Sequence, residues 1–204
     1  MDKEYKCWDD LSLKENLLRG IYAYGFDNPS QIQSRAIYPI INGKDVIAQA
    51  QSGTGKTGAF VVSALQSINE NITDSQVLIM APTRELAVQI NTVATSVSTF
   101  MSHVNTQLLI GGRPMELDIK DLEQRPKLLV GTPGRVHDLM RRRKINTKTI
   151  NLMVLDEADE MLSSGFKEQI YNIFQFLSNN VQLCLFSATL PCEIKMLTEK
   201  FMRD

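Results

Sequence analysis

The chain has 204 residues, enough for one large domain with its own core or for two small ones. Apolar residues at 43% and charged residues at 22% exclude a disordered chain, and no apolar run approaches the ~20 residues of a membrane-spanning helix. A net charge of −1 gives no sign of a polyanionic partner.

The opening Met1-Asp2-Lys3-Glu4-Tyr5-Lys6 lacks the apolar stretch of a signal peptide. Cys7, Cys184 and Cys192 form no C-x-x-C pair, and an odd count without a signal fits a reducing compartment, the cytoplasm or alternatively the nucleus. His103 and His137 stand far apart without other soft ligands, which argues against zinc.

From the N-terminus, Ser12-Leu13-Lys14-Glu15 reads as a capping box, followed by Leu17, Leu18 and Ile21 on one helical face and by Gly25 as a stop. Next comes Gly25-Phe26-Asp27-Asn28-Pro29-Ser30-Gln31-Ile32-Gln33. Gln33 carries a donor and an acceptor that can pair with an adenine edge, and Phe26 can stack on a base. Ser30-x-x-Gln33 is also a capping box for a helix through Ile40, and local spacing alone favours the cap.

The apolar run Asp45-Val46-Ile47-Ala48 leads into Ala50-Gln51-Ser52-Gly53-Thr54-Gly55-Lys56-Thr57. This is a relaxed phosphate-loop pattern with Ala50 in place of the first glycine. Gly53 and Gly55 let consecutive N–H groups curl around phosphate oxygens, and the next helix adds its positive dipole end. Lys56 can reach the β- and γ-phosphates, and the Thr57 hydroxyl can ligate Mg²⁺.

Further continuous runs follow: Val77-Leu78-Ile79-Met80-Ala81, Gln107-Leu108-Leu109-Ile110, Lys127-Leu128-Leu129-Val130, Leu152-Met153-Val154-Leu155 and Leu183-Cys184-Leu185-Phe186. Continuous rather than alternating, they read as strands buried on both faces. Helical stripes lie between them: Leu86, Ala87, Ile90, Val93, Ala94, Val97 and Phe100, then Phe166, Ile170, Ile173, Phe174 and Leu177. The pattern predicts β-α-β units, an open parallel sheet with helices on both faces, and a ligand at the carboxyl ends of the strands.

Those ends carry Pro82-Thr83-Arg84-Glu85-Leu86-Ala87, Gly111-Gly112-Arg113, Gly131-Thr132-Pro133-Gly134-Arg135, Asp156-Glu157-Ala158-Asp159 and Ser187-Ala188-Thr189. Hydroxyls, guanidiniums and free helix N–H groups suit a phosphodiester backbone, while each Thr taken singly reads as an N-cap beside a solvated arginine. Asp156 can hold Mg²⁺ against Thr57 and Glu157 can polarise an attacking water; the plainer alternative is an acidic helix start. Arg141-Arg142-Arg143-Lys144 reads as a helix C-terminus meeting its dipole and solvent, with RNA contact the weaker option. His103 and His137 read as structural or exposed, Cys184 as core, and Met153 and Phe186 as sheet packing.

In order, residues 25–33, 50–57, 82–87, 111–112, 132–135, 156–159 and 187–189 resemble the Q motif and motifs I, Ia, GG, Ib, II and III of DEAD-box RNA helicases. Trp8 is similar to the isolated aromatic upstream of that family's Q motif. Segments 17–26 and 161–171 are similar to the eukaryotic initiation factor 4A group. The resemblance covers essentially the whole chain. It implies a RecA-like phosphate-loop domain and an ATP-dependent, RNA-stimulated RNA helicase using ATP and Mg²⁺.

By that resemblance Gln33 reads adenine, Phe26 stacks on it and the Asn28 backbone contacts it. Ser52, Gly53, Thr54, Gly55, Lys56 and Thr57 hold phosphates. Lys56, Asp156 and Glu157 are the catalytic set, and Thr57 and Asp156 hold Mg²⁺, partly through water. Asp159, Ser187 and Thr189 couple the nucleotide site to RNA. Thr83, Arg84, Gly112, Thr132 and Arg135 hold single-stranded RNA by its backbone. The implied layout is an N-terminal helix and Q motif over 1–34 and the first RecA-like domain over 35–204. No segment matches motifs IV, V and VI of the family's second RecA-like domain, so the expected partners are that domain, RNA, and translation or RNA-processing proteins, with no membrane. The chain is expected to be a first domain that alone is nearly inactive.

Overall fold

The computed structural model describes residues 4–163 and 165–203. Met1, Asp2 and Lys3 of the opening segment, Ser164 of segment 161–171 and the final Asp204 lie outside the described residues. The six apolar runs form strands: β1 (Val46–Gln49), β2 (Val77–Met80), β3 (Thr106–Leu109), β4 (Leu128–Gly131), β5 (Leu152–Asp156) and β6 (Gln182–Ser187). They make one sheet in the order β1-β6-β5-β2-β4-β3, with every neighbouring pair parallel.

Strand side chains alternate between two cores. Val77, Ile79, Leu128, Val130, Leu152, Val154, Cys184 and Phe186 enter one. Leu78, Met80, Leu129, Met153, Leu155, Leu183 and Leu185 enter the other. A strand feeding two cores must be apolar at every position, which is why these runs do not alternate. The two edge strands differ: in β1 only Ala48 is buried, and β3 buries only Gln107 and Leu109. Contrary to the expectation from their continuous apolar runs, neither edge strand is buried on both faces. Among the described residues each edge strand has one hydrogen-bonded neighbour, so its apolar run signals strand formation but not full burial.

Helices α1 (Glu15–Tyr24), α2 (Gln31–Ile41), α3 (Lys56–Ser67) and α4 (Arg84–Val97) cover the first face. Residues from α6 (Pro133–Arg141), α7 (Ala158–Ser163), α8 (Lys167–Phe176) and α9 (Cys192–Phe201) cover the second, with α5 (Met115–Leu122) packed against its margin. The N-terminal segment shares the first core through Tyr5, Trp8, Leu11, Leu17 and Ile21, and α2 runs continuously across position 34. Phe60 and Phe186 meet edge-on at 5.2 Å across that core. Burial pushes the Cys184 thiol up to about 12, so it behaves as a small core hydrophobe.

Gly25 ends α1 in the left-handed region at φ +101°, its N–H donating to the Ile21 and Tyr22 carbonyls. The Ser12 box does not form. Ser12 closes a 3-10 turn over Trp8–Leu11 at φ +52°, and α1 begins at Glu15 behind Lys14. Burial of Trp8 and Leu11 fixes that turn, and the Lys14 N–H finds the Gln66 side chain 2.9 Å away instead of a local cap. The Ser30–Gln33 box does form, with Ser30 N–H donating to Gln33 Oε1 at 2.8 Å and Gln33 N–H to Ser30 Oγ at 3.4 Å. The basic run 141–144 lies at the C-terminus of α6 as expected, with Arg141 and Arg142 both on Asp138.

Candidate active site and RNA-facing edge

All the residues singled out at strand ends lie along the carboxyl edge of the sheet. Sheet order sorts them. The loops after β1, β6 and β5 are neighbours, and so are those after β2, β4 and β3.

On the first half, the chain leaves β1 and curls through Gly53 at φ +82° and Gly55 at φ +91°, conformations that a Cβ disfavours. Gly55 caps α3 without any side-chain bond, so the first-turn N–H groups of α3 have no side-chain cap. Ser52, Gly53 and Thr54 are exposed on the loop, and Thr57 is half-buried. Lys56 is buried, with Nζ 2.6 Å from Glu157 Oε1 and 3.1 Å from Asp156 Oδ1. Burial pulls the Lys56 ammonium down, but Glu157 and Asp156 together more than offset it and hold Lys56 charged.

Asp156 ends β5 with no exposed surface. Burial raises its carboxyl above the ordinary range despite Lys56. Oδ1 meets Lys56 and the Glu157 N–H, whereas Oδ2 is buried with no hydrogen-bond partner among the described residues. A buried carboxylate oxygen left open is a hard oxygen donor of the kind that Mg²⁺ takes together with water and phosphate. Among the described residues no group of three His, Cys, Asp or Glu gathers to hold a metal unaided. Glu157 follows at φ +53°, a costly conformation for a non-glycine residue, and one that turns its carboxylate back over Lys56.

Gln33 does two things at once. Besides closing its cap, it donates from Nε2 to the Gly55 carbonyl at 3.0 Å. Phe26 leans on Tyr24 and Trp8 at centroid distances of 4.8 and 6.0 Å, close to α3. Gly58 was not singled out from sequence, yet a Cβ there would come within 2.5 Å of Gln33 Nε2 and 3.2 Å of the Phe26 ring. The only sequence trace of this is a glycine in the first turn of α3, where nothing local requires one. Asn28 is exposed on the same loop.

Asp159, Ser187 and Thr189 join at the end of β6. The Asp159 N–H donates to Ser187 Oγ at 3.2 Å, and Ser187 Oγ donates to the Thr189 carbonyl at 2.7 Å. Thr189 gives its hydroxyl and its N–H to Asp159 Oδ2 at 2.7 and 3.2 Å. Burial works to raise the Asp159 carboxyl, but the bonds led by the Thr189 hydroxyl and Glu160 N–H hold it below the ordinary range.

On the second half of the edge, Thr83 caps α4, its hydroxyl accepting from the Leu86 N–H at 3.2 Å. Arg84 is exposed and lies over Gly111 and Gly112, where an added Cβ would meet its guanidinium at 2.9 Å. Thr132 begins α6 without a side-chain cap, its hydroxyl unused by the helix. Arg113 and Arg135 are not free cations. Both are paired with Asp118 of α5, a fully buried carboxylate that no local sequence pattern marks.

Fold and site together define a RecA-like phosphate-loop domain. The chain belongs to the DEAD/DEAH box helicase family, whose description matches residues 30–197. Proteins named ATP-dependent RNA helicase eIF4A from Coccidioides immitis and Aspergillus clavatus are each 56% identical over 203 residues, covering 100% of this chain and 51% of theirs. The chain thus spans about half the length of the curated relatives it matches. A DEAD box protein of Methanococcus jannaschii superposes with a TM-score of 0.94 at 35% identity, over 99% of this chain and 55% of that one. Saccharomyces cerevisiae Dbp5 bound to RNA and ADP BeF3 gives 0.88 at 38% identity, over 98% and 50%. Among the described residues no helix is long and apolar enough to cross a membrane.

Proposed function

We propose that this chain is the ATP-binding half of an ATP-dependent, RNA-stimulated RNA helicase, which couples ATP hydrolysis to local separation of RNA duplexes. The observation that carries the reading is buried Asp156, whose Oδ1 holds Lys56 at the start of α3 while its Oδ2 stays open, with Glu157 on the same lysine. Gln33 reads the adenine edge and Phe26 stacks on the base, with the Asn28 backbone beside it. Ser52 to Thr57 cradle the phosphates through backbone N–H groups and Lys56. Asp156, partly through water, and Thr57 hold Mg²⁺, which when bound neutralises phosphate charge.

In this arrangement Lys56 leaves Glu157 to meet phosphate, freeing the Glu157 carboxylate to accept a proton from water. Asp159, Ser187 and Thr189 transmit the state of the nucleotide to the RNA edge. There Thr83, Arg84, Gly112, Thr132 and Arg135 grip the phosphates and 2′-hydroxyls of single-stranded RNA without reading bases. The eIF4A names of the relatives support translation initiation as the process, with translation or RNA-processing proteins as partners, and the cysteine pattern supports the cytoplasm or alternatively the nucleus.

A second RecA-like domain supplies the arginines that stabilise the transferring phosphoryl group, worth on the order of 10³–10⁵ in rate. ATP turnover by these 204 residues, measured with and without single-stranded RNA, tests this. Slow, barely stimulated hydrolysis is expected. Robust RNA-stimulated turnover or strand separation by this chain alone overturns the half-enzyme reading.

A further inference from the structure

The Asp118 carboxylate of α5 is wholly buried, and each of its oxygens holds a different arginine. Oδ1 accepts from Arg113 Nη1 at 3.0 Å, and Oδ2 from Arg135 Nη1 at 2.6 Å. The circuit closes through Arg135 Nη2, which donates to the Arg113 carbonyl at 2.8 Å. Arg113 also reaches Asp121 at 2.6 Å, and Gln107 of β3 donates to the Asp118 carbonyl at 3.1 Å. One side chain therefore ties α5 to the loop after β3 and to the first turn of α6.

We propose that Asp118 is a positioning residue for RNA. It fixes Arg135 and the glycine loop in the one geometry that a single-stranded backbone meets. The inference rests on the RNA-binding reading above. Three physical points support it. A buried carboxylate is costly to desolvate and is a weak device for stability, but it can specify a unique arrangement of its partners. Arg135 has five N–H donors in a rigid fork, and the observed bonds use only one hydrogen on each of its two terminal nitrogens, so donors remain for a phosphate oxygen. The loop that Asp118 anchors through Arg113 also contains Gly111 and Gly112, the platform under Arg84. Its influence thus reaches the loops after β2, β3 and β4 together.

The competing role, simple neutralisation of two arginines, makes the opposite prediction. Removing the carboxylate would then free positive charge and tighten RNA binding. The test is fluorescence anisotropy with a labelled single-stranded oligouridylate at low salt, alongside Mg-ADP affinity, on this chain and on Asp118→Asn. Positioning predicts RNA binding weakened about tenfold with Mg-ADP affinity unchanged, although the variant carries one negative charge fewer. Equal or tighter RNA binding overturns the proposal. Should Asp118→Asn fail to fold, Asp118→Glu carries the test: it keeps the charge but not the reach, so weaker RNA binding supports positioning and unchanged binding defeats it. If the parent binds no RNA, or Arg84→Ala changes nothing, the RNA reading itself fails and this inference falls with it.

Discussion

Asp156 and Asp159 lie three positions apart, and their environments push them in opposite directions. Burial raises Asp156. A carboxyl whose folded pKa exceeds its unfolded one favours folding while protonated, and that contribution is lost as pH rises through the folded value. At neutral pH the ionised group therefore costs stability. Asp156→Asn removes that charge, so its stability relative to the parent should improve as pH rises from acid toward neutral, while turnover is abolished; urea denaturation across pH reads this. A clear loss of stability at pH 7 would mean that Lys56 more than compensates the burial. Asp159 is held low by bonds led by the Thr189 hydroxyl and the Glu160 N–H. Its contribution is present above the ordinary carboxylate range and lost as pH falls through the folded value. Thr189→Val should cost about 1 kcal/mol at pH 7, and the difference from the parent should shrink toward pH 3. At this scale the sequence was partly legible. Gln33 invited two readings, a helix cap and a base reader. The cap is formed, and the same amide spans to the Gly55 carbonyl of the glycine loop.

At the scale of elements, strands were read from apolar runs and helices from their stripes, because burial on two faces or one leaves a direct imprint on composition. Caps were less legible. Ser12 and Ser30 present the same local pattern, yet only Ser30 caps, because Trp8 and Leu11 pull the chain before α1 into the core and set Ser12 to a left-handed turn. A tertiary demand outweighs a local bond worth about 1 kcal/mol. Asp118 escaped notice for a related reason. On α5 it reads as a solvated acid, and its role exists only where three loops meet. Gly20 of α1 was equally silent. A Cβ there would lie 1.8 Å from the Val97 carbonyl of α4, and backbone cannot move aside. Gly20→Ala should therefore destabilise by about 1–3 kcal/mol or more, despite the ~1 kcal/mol that alanine brings to a helix. A urea midpoint at or above that of the parent would contradict this close packing of α1 on α4.

Across the whole molecule, a net charge of −1 conceals an uneven layout of charge along one edge. The sheet order puts the phosphate loop, Asp156–Glu157 and Ser187–Thr189 on one half, and Thr83–Arg84, Gly112 and Thr132–Arg135 on the other. Strands β5 and β2 are the seam where the halves touch. Total charge cannot register such a layout, since Asp118, Asp121 and acidic groups elsewhere cancel the arginines in the sum. The central claim is that one half is a site for adenine nucleotide, and calorimetric titration of Mg-ADP and Mg-GDP into this chain and into Lys56→Ala tests it most directly. The account predicts that Mg-ADP binds, that Mg-GDP binds at least about tenfold more weakly because Gln33 faces the wrong base edge, and that Lys56→Ala loses about tenfold or more with one charge-assisted bond. Equal affinity for the two nucleotides, or binding indifferent to Lys56, would contradict it.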